Sequence, residues 1–406
     1  MTEDHPDGDD PKIRPGLVNV VFLGLVSFFS DLSTEMVYPL IPLYLVATFG
    51  ATPALVGVIE GIAESLASLL KVFSGYLSDR FQKKKGLAFW GYAAGVVYKL
   101  ALLVAGSWAG ILAARVIDRL GKGVRTAPRD VLVSESTDST TMGKAFGLHK
   151  ALDMTGSAIG ILFTFFLLVR MNNVVNYQQI FTISIIPGLL GLAMFLFIRQ
   201  TKAPRTITRE PFWRGVGRID RQLKVYLVVV FLFTLGNSSN AFLLIRAQSA
   251  GFGDAGVILL YFLFNAVASV LALPLGQLSD RIGRKNLLVP GYLVFSLCYL
   301  GFAFASNHTT MILTFILYGA YTAMITGVER AYIAEIAPPD LKGTMLGLQS
   351  TVAGIALLPA SIIAGLLWDA YGAAVPFVFG AALAALAALI LIFFMPSRPR
   401  GGAVVE

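Results

Sequence analysis

The chain has 406 residues, of which 56% are hydrophobic and 14% are charged. A single soluble core of this size cannot hide so much apolar surface, so the composition excludes a soluble globular protein and predicts a membrane protein. The formal net charge of +8 does not indicate nucleic acid, because Lys and Arg cluster in short segments beside apolar runs. In that position basic residues set membrane orientation.

Twelve apolar runs are each long enough to cross a bilayer as a helix, which needs roughly 20 residues. They predict an all-α membrane protein with twelve transmembrane helices in two homologous six-helix bundles. The predicted spans are 17–47, 54–78, 86–106, 109–132, 144–169, 178–198, 225–248, 254–278, 286–305, 309–334, 344–370 and 374–395. The predicted domains are an N-terminal tail (1–16), an N-terminal bundle (17–198), a basic linker (199–224), a C-terminal bundle (225–395) and a C-terminal tail (396–406).

An internal duplication supports the two bundles. The stretches 75–85 and 276–285 read almost the same, and 134–147 aligns with 334–347 in the same way. Each copy of the first stretch places glycine, an Asp-Arg pair and a basic cluster where one apolar run ends. We expect these residues to form structural hairpins or gates that hold helices at one membrane face: Gly75, Asp79, Arg80, Gly276, Asp280 and Arg281.

The basic segments all fall on one side of the predicted spans. The loops of the other side, near 48–53, 105–108 and 249–253, contain no Lys or Arg. Because Lys and Arg accumulate in cytoplasmic loops, both termini are predicted to be cytoplasmic in a multi-pass protein of the cell (inner) membrane.

The fourth span carries an unusual row of charges. On a helical wheel they fall within an arc of about 140 degrees. A charge at the bilayer centre costs roughly 3 kcal/mol or more, so this row must face protein or water rather than lipid. We call it the charged stripe, and its members are Arg115, Asp118, Arg119, Lys122, Arg125, Arg129 and Asp130.

Neighbouring spans supply acids that could balance the charged stripe. Asp31 and Glu35 in span 1 share one helix face, as do Glu60 and Glu64 in span 2, and Asp153 follows in span 5. Glu64 could be either a proton carrier or an ion-pair partner.

Two further alternatives stay open. Arg125 and Arg129 lie near the cytoplasmic end of their helix, where gate or orientation residues are commoner than ligands. His149 lies near a helix start, where it either senses pH or only packs.

The second half replaces these charges with amide and aromatic groups. Under the duplication Glu64 corresponds to Asn265 and Glu60 to Tyr261, while Asn237 and Asn240 lie roughly where span 1 has its acids. This substitution suggests that the first half handles charge or protons and that the second contacts the solute. Glu329 and Arg330 depart from the division, because they align with Arg129 and Asp130.

The repeated hairpin, the twelve spans and the long basic middle loop together resemble the major facilitator superfamily. The resemblance implies alternating access, in which two bundles rock around a central site, usually driven by a proton or solute gradient. The family's fourth-span pattern, Arg-x-x-Gln-Gly-x-Gly-x-Gly, is matched at Arg115, Gly121 and Gly123, but Asp118 replaces Gln and Arg119 replaces Gly. By the same resemblance Arg115 is expected to hold a buried charge linked to protonation.

The fifth-span antiporter signature of that family survives only in part. Gly156 and Gly160 keep the glycine spacing, but the proline that follows in the family is missing. The departure makes drug export by the usual antiport scheme less secure.

The residues therefore favour a proton-coupled secondary transporter of a small organic anion of the carboxylate or metal-chelate type. The basic side chains of the charged stripe motivate the anion, since Arg offers a planar fork suited to carboxylates. The expected proton-coupling residues are Asp31, Glu35, Glu64, Arg115 and Asp118. The expected substrate-binding residues are Arg115, Arg119, Lys122, Asn237, Asn240, Tyr261 and Asn265.

Two other functions remain open: export of drugs or cations by proton antiport, and a receptor or scaffold that transports nothing. No catalytic or nucleotide-binding motif and no metal-ligand spacing is present in the sequence, so we expect no enzyme, cofactor or metal. We further expect a monomer whose partners are the solute, protons and the lipid bilayer.

Overall fold

The computed structural model describes residues 15–80, 84–137, 142–171, 176–199, 221–337 and 342–395, without the side chains of 15–17, 71–80, 143 and 342–344. Within these ranges the chain is helical and has no strand. Most of the predicted tails and linker lies outside the described residues, so those boundaries remain predictions.

Twelve helical spans follow one another in the predicted order, which confirms the fold class. In the first half they are span 1 (α1, Pro15–Glu35; a 3-10 turn, Tyr38–Leu40; α2, Ile41–Phe49), span 2 (α3, Pro53–Arg80), span 3 (α4, Lys84–Val104), span 4 (α5, Trp108–Glu135), span 5 (α6, Met142–Arg170) and span 6 (α7, Tyr177–Met194; a 3-10 turn, Phe195–Phe197). In the second half they are span 7 (α8, Arg221–Gly236; α9, Ala241–Ser249), span 8 (α10, Asp254–Ile282), span 9 (α11, Arg284–Phe304), span 10 (α12, His308–Ile325; α13, Val328–Ile336), span 11 (α14, Lys342–Tyr371) and span 12 (α15, Val375–Phe394).

Three spans are interrupted near their middle. In span 1 the prolines Pro39 and Pro42 remove backbone donors, and the chain passes through a 3-10 turn before α2 begins. Span 7 breaks at the matching place, after Gly236. Span 10 breaks beside Gly327, whose φ of 97° lies in the region that favours glycine. Such breaks are tolerated inside a membrane only beside protein or water, so they point to the interior of the molecule.

The duplication is also visible in the contacts of the basic residues. The first residue of span 3 and of span 9 binds a glutamate at the end of span 4 or span 10, and the next residue donates to a carbonyl at the end of span 6 or span 12. The pairs are Lys84 with Glu135, Arg284 with Glu335 (2.9 Å), Lys85 with the Ile198 carbonyl (2.6 Å) and Lys285 with the Met395 carbonyl. These four basic residues mark one membrane face, which we call the basic face.

The Asp-Arg pairs of the hairpins are less informative. Asp280 is largely exposed and lies 3.5 Å from Arg284, and Arg281 is exposed. Gly75, Asp79 and Arg80 belong to α3, but their side chains lie outside those described. In the second half the basic residues, more than the Asp-Arg pair, tie the spans together.

The two bundles meet along two helix pairs, α3 with α14 and α6 with α10. At the membrane face opposite the basic one, the Ala54 backbone N–H donates to Asp369 Oδ2 over 3.2 Å. The Tyr177 hydroxyl donates to Asp254 Oδ2 over 3.0 Å at the same level. The bundles are therefore joined on this opposite face.

Spans 1 and 5 approach each other closely because span 5 presents glycines. A Cβ on Gly156 would lie 2.2 Å from the Phe28 carbonyl oxygen, and one on Gly160 would lie 2.4 Å from that of Leu32. Only glycine fits without movement of the backbone, and this spacing is the usual one for close helix packing in membranes.

We expect Gly156→Ala to destabilise the protein by about 1–3 kcal/mol, because the added methyl group overpacks a backbone contact. Gly147→Ala is the matched control, since Gly147 lies on the same helix with open space around it. Thermal unfolding in detergent measures both. Equal stability of the two variants would contradict the packing assigned to Gly156.

Candidate functional site

Most of the charged stripe is buried against protein. Arg115, Asp118, Arg119 and Arg125 are exposed by 0%, 4%, 4% and 6%. Eleven helices of the described ranges are apolar enough to cross a membrane, and span 4 is not among them because of these charges. Its charge must be balanced by neighbouring spans.

Arg115 forms a two-pronged ion pair with Glu60 of span 2. Arg115 Nε lies 3.0 Å from Glu60 Oε1 and Nη2 lies 2.6 Å from Oε2. Both side chains are almost fully buried. The parallel arrangement is the strongest geometry for an arginine and a carboxylate.

Arg119 also forms ion pairs, with Glu64 and with Asp118. Arg119 Nη2 lies 2.9 Å from Glu64 Oε1, and Arg119 Nε lies 3.6 Å from Asp118 Oδ2. Arg115 Nη1 is 3.8 Å from the same Asp118 oxygen. Arg115 and Arg119 are thus both buried in ion pairs in this structure, and their binding of the solute stays a prediction.

Tyr38 covers this cluster and was missed by the sequence analysis. Its ring centre lies 5.1 Å from the Arg115 guanidinium and 5.5 Å from that of Arg119, within the range of cation–π attraction. It also lies 6.1 Å from the ring of Tyr261 in the other bundle. An aromatic residue directly before a helix-breaking proline was the available signal.

Glu35 links the two bundles at the level of the break in span 1. The Tyr261 hydroxyl donates to Glu35 Oε2 over 3.1 Å. Lys122 and Arg119 are both near enough to Glu35 to attract its carboxyl group. Lys122 is exposed, its backbone carbonyl accepts from Thr126, and its ammonium group has no ion pair within the described part of the chain.

Asp31 and Asp153 come together between spans 1 and 5. Their carboxyl groups lie close enough to each other to interact directly. Arg125 Nη2 lies 3.8 Å from Asp31, and Lys150 Nζ lies 2.7 Å from Asp153. We call Asp31 and Asp153 the carboxyl pair. The sequence suggested both as counter-charges without indicating that they meet.

Nearer the basic face, the arginines of the charged stripe have different partners. The Arg125 guanidinium stacks 4.3 Å from the Tyr92 ring centre and donates to Ser30 over 2.9 Å. Arg129 pairs with its neighbour Asp130 over 2.8 Å. Arg125 thus lies among the inner polar groups, and nothing in these contacts tests a gating role for either arginine.

The amides predicted for the second half are held by tyrosines. Asn237 bonds to the hydroxyls of Tyr321 (3.2 Å) and Tyr299 (3.3 Å). Asn240 accepts from Tyr318 over 3.0 Å. These contacts give the break in span 7 a polar and aromatic lining.

The other two predicted residues of that half, Tyr261 and Asn265, lie together. The Asn265 amide donates to the Tyr261 carbonyl over 2.8 Å, and the Tyr261 hydroxyl faces Glu35. In span 10, Glu329 accepts a 2.8 Å hydrogen bond from Tyr292. No group of His, Cys, Asp and Glu in the described ranges is arranged to hold a metal ion.

The two hydrogen bonds between the bundles, Ala54 with Asp369 and Tyr177 with Asp254, should stabilise the conformation in which the bundles are closed at the face opposite the basic face. We expect Tyr177→Phe combined with Asp369→Ala to shift the population away from that state, since each lost hydrogen bond contributes about 1 kcal/mol. Spin labels at exposed Gln178 and Ala370 report the distance between the two bundles by double electron–electron resonance. The distance should lengthen in the variant.

Tyr371→Phe provides the control for this experiment, because Tyr371 lies near the same face and is 73% exposed. It loses the same hydroxyl without losing a bond between bundles. If the double variant and the control give the same distance distribution, the two contacts do not hold the face closed.

Comparison with known proteins identifies the family that this chain resembles. The family model of the Major Facilitator Superfamily matches residues 23–253 and 226–405. An uncharacterized MFS-type transporter of Methanocaldococcus jannaschii is 35% identical over 381 residues, covering 92% of this chain and 94% of that protein. A probable 4-methylmuconolactone transporter of Cupriavidus pinatubonensis is 27% identical over 335 residues, covering 76% and 74%.

A solved structure shows the same fold. A mutant of the nucleoside transporter NupG superposes with a TM-score of 0.79 at 12% identity, covering 92% of this chain and 99% of that one. Twelve spans in two related halves, a family model that matches both halves and a relative similar over nearly its whole length lead to one conclusion. The chain belongs to the Major Facilitator Superfamily and is a multi-pass membrane transporter.

Proposed function

We propose that the protein is a secondary active transporter that works by alternating access and moves a small organic anion together with protons. The observation that carries the proposal is the carboxyl pair, Asp31 and Asp153. Two ionised carboxylates at close range repel each other, which favours a pair that keeps one proton. Ionisable groups inside a membrane are costly, and they commonly mark proton relays in transporters.

Lys122 supports an anionic solute. Arg115 and Arg119 are already neutralised by Glu60, Glu64 and Asp118, whereas Lys122 is exposed beside Glu35 and acts on Asp31 as well. An ammonium group in this position attracts the carboxylate of a solute. Asn240 and Tyr261, on the other bundle, complete the polar lining we assign to the site.

These positions also suggest how protons and solute are coupled. When Glu35 and Asp31 are ionised they compete with the solute for Lys122. When they take up protons the competition ends, and Lys122 attracts the anion more strongly. Proton and anion would then bind together and cross in the same direction. Glu64, Arg115 and Asp118 set the electric field in which this exchange occurs.

A binding experiment tests the proposal. Thermal unfolding of the purified protein is followed with succinate, citrate, phthalate and the cation tetraphenylphosphonium, at acidic and at alkaline pH. At least one carboxylate should stabilise the wild type, by about 2.7 kcal/mol at a hundredfold excess over its Kd, and more strongly at acidic pH. Lys122→Gln should lose this effect.

Lys144→Gln is the control, because Lys144 is exposed at the start of span 5 and loses the same charge. Stabilisation that survives in Lys122→Gln, or that no carboxylate produces, contradicts the anion site.

Export of cations by proton antiport is the second candidate. One observation favours it: the basic side chains Arg115 and Arg119 are balanced, while Glu35 faces the other bundle through Tyr261. In the same experiment this function predicts stabilisation by tetraphenylphosphonium, stronger at alkaline pH, and its loss in Glu35→Gln.

We also propose that the protein is a monomer of the cell (inner) membrane and that the basic face and both termini are cytoplasmic. Lys84, Lys85, Arg284 and Lys285 support the orientation, since basic residues accumulate on the cytoplasmic side. Labelling by a membrane-impermeant maleimide of a cysteine introduced at exposed Asn286 measures it in intact cells. Labelling from outside would contradict the orientation.

A further inference from the structure

Two pairs of polar side chains connect span 1 and span 5: Asp31 with Asp153, and Ser27 with His149. Ser27 and His149 each lie four residues earlier on their helix, which is about 6 Å, or one helical turn, closer to the basic face. The His149 imidazole, which can donate and accept a hydrogen bond, therefore lies between the carboxyl pair and that face.

His149 belongs to a buried row of hydrogen-bonded groups. His149 Nε2 lies 2.9 Å from Ser27 Oγ, and Ser27 Oγ lies 2.9 Å from the Tyr92 hydroxyl. All three side chains are buried. Hydroxyl groups and a neutral imidazole each donate and accept a hydrogen bond, which is what a group must do to pass a proton along.

The charges around His149 are balanced. Arg129 and Asp130 of span 4 face it, as do Lys150 and Asp153 of its own helix, while Tyr92 of span 3 and Ser27 of span 1 are uncharged. Two cations and two anions thus surround the ring and partly offset one another. The buried ring carries an additional proton only in passing.

We propose that His149, bonded to Ser27, relays protons between the carboxyl pair and the basic face. The inference rests on the proposed function, because it needs the carboxyl pair to exchange a proton during transport. It adds a route and a residue to that function: His149 holds neither the solute nor the resting proton.

The proton balance of the step is simple. The shared proton leaves Asp31 and Asp153 through a water molecule to one ring nitrogen of His149, and the ring gives up a proton from its other nitrogen to water on the basic side. The imidazole ends neutral. The pair ends as two carboxylates, whose charges face Arg125, Lys122 and Lys150.

Protonation kinetics test the relay without knowledge of the solute. Protons are released by a light flash from a caged acid, and infrared absorption of protonated carboxyl groups is followed with time in the purified protein. Asp153→Asn identifies the signal of the pair. His149→Gln should slow its protonation at least about tenfold, since a positioned acid–base group accelerates proton transfer by 10² or more.

The final amplitude should stay that of the wild type, because the pair itself is intact. His308→Gln is the matched control, since His308 lies exposed at the start of span 10 on the opposite face, and it should leave the rate unchanged. Ser27→Ala, which removes the partner of the ring, should also slow the rate.

The outcomes separate the two proposals. A pair signal in the wild type with unchanged rates in both His149→Gln and Ser27→Ala overturns the relay and leaves the proposed function standing. Absence of any pair signal in the wild type overturns both. A helix-packing role of His149 alone would lower stability and signal amplitude together, without slowing the rate.

Discussion

Replacing Glu60 by glutamine is expected to lower the free energy of unfolding by about 3–5 kcal/mol. Glu60 and Arg115 are both almost fully buried, and glutamine leaves the guanidinium without a compensating charge. Glu64, whose Oε1 lies 3.8 Å from Arg115, is too distant to replace the two-pronged contact. Thermal or denaturant unfolding in detergent at fixed pH measures the loss.

A double variant shows whether the charge is the cause. Glu60→Gln with Arg115→Met removes both charges and should recover most of the lost stability, because a buried pair contributes little relative to an apolar pair. Asp280→Asn is the exposed control and should change stability by no more than about 1 kcal/mol. If the double variant is as unstable as Glu60→Gln, shape rather than charge decides the effect.

Stability should also fall with rising pH because of the carboxyl pair. In the proposed function the folded pair holds one proton at neutral pH, whereas aspartates of the unfolded chain, with pKa values of about 3.9, hold none. The folded state then binds more protons than the unfolded state, so stability is greatest at acidic pH and declines as the shared proton is lost. The slope approaches about 1.4 kcal/mol per pH unit for one proton.

Asp153→Asn should weaken this decline, because an amide can donate to ionised Asp31 without a shared proton. Asp280→Asn, at an exposed position, should keep it. Unfolding measured across the pH range compares the three proteins. A decline that persists unchanged in Asp153→Asn would show that another group is responsible.

Eleven of the twelve predicted spans are long and apolar enough to be recognised alone. Span 4 is too charged for that, but its charges fall on one helix face, which indicates a helix. The break in span 1 also follows from the sequence, because Pro39 and Pro42 cannot continue a helix. The breaks in spans 7 and 10 were missed. They depend on Gly236 and Gly327, and glycine in an apolar run fits both a continuous and an interrupted helix.

The site was predictable in its residue types more than in its pairings. Helix periodicity placed Arg115 and Arg119 on one face, but Glu60 and Glu64 lie on another helix, and no spacing within one span shows which carboxylate each arginine meets. Asp118 lies three residues from Arg115 on the same helix, yet it is 3.8 Å away, whereas the short contact of 2.6 Å is with Glu60 on another helix.

The contact of Asp31 with Asp153 likewise depends on how closely spans 1 and 5 pack. That approach is set by Gly156 and Gly160. The spacing of these glycines is typical of close helix packing, but nothing in it identifies span 1 as the partner of span 5.

An infrared titration of the purified protein tests most directly whether Asp31 and Asp153 hold the transported proton. The wild type should show a protonated carboxyl absorption at neutral pH that disappears on alkalinisation and that is absent from both Asp31→Asn and Asp153→Asn. A wild-type spectrum without that absorption, or one that both variants retain, would contradict the assignment.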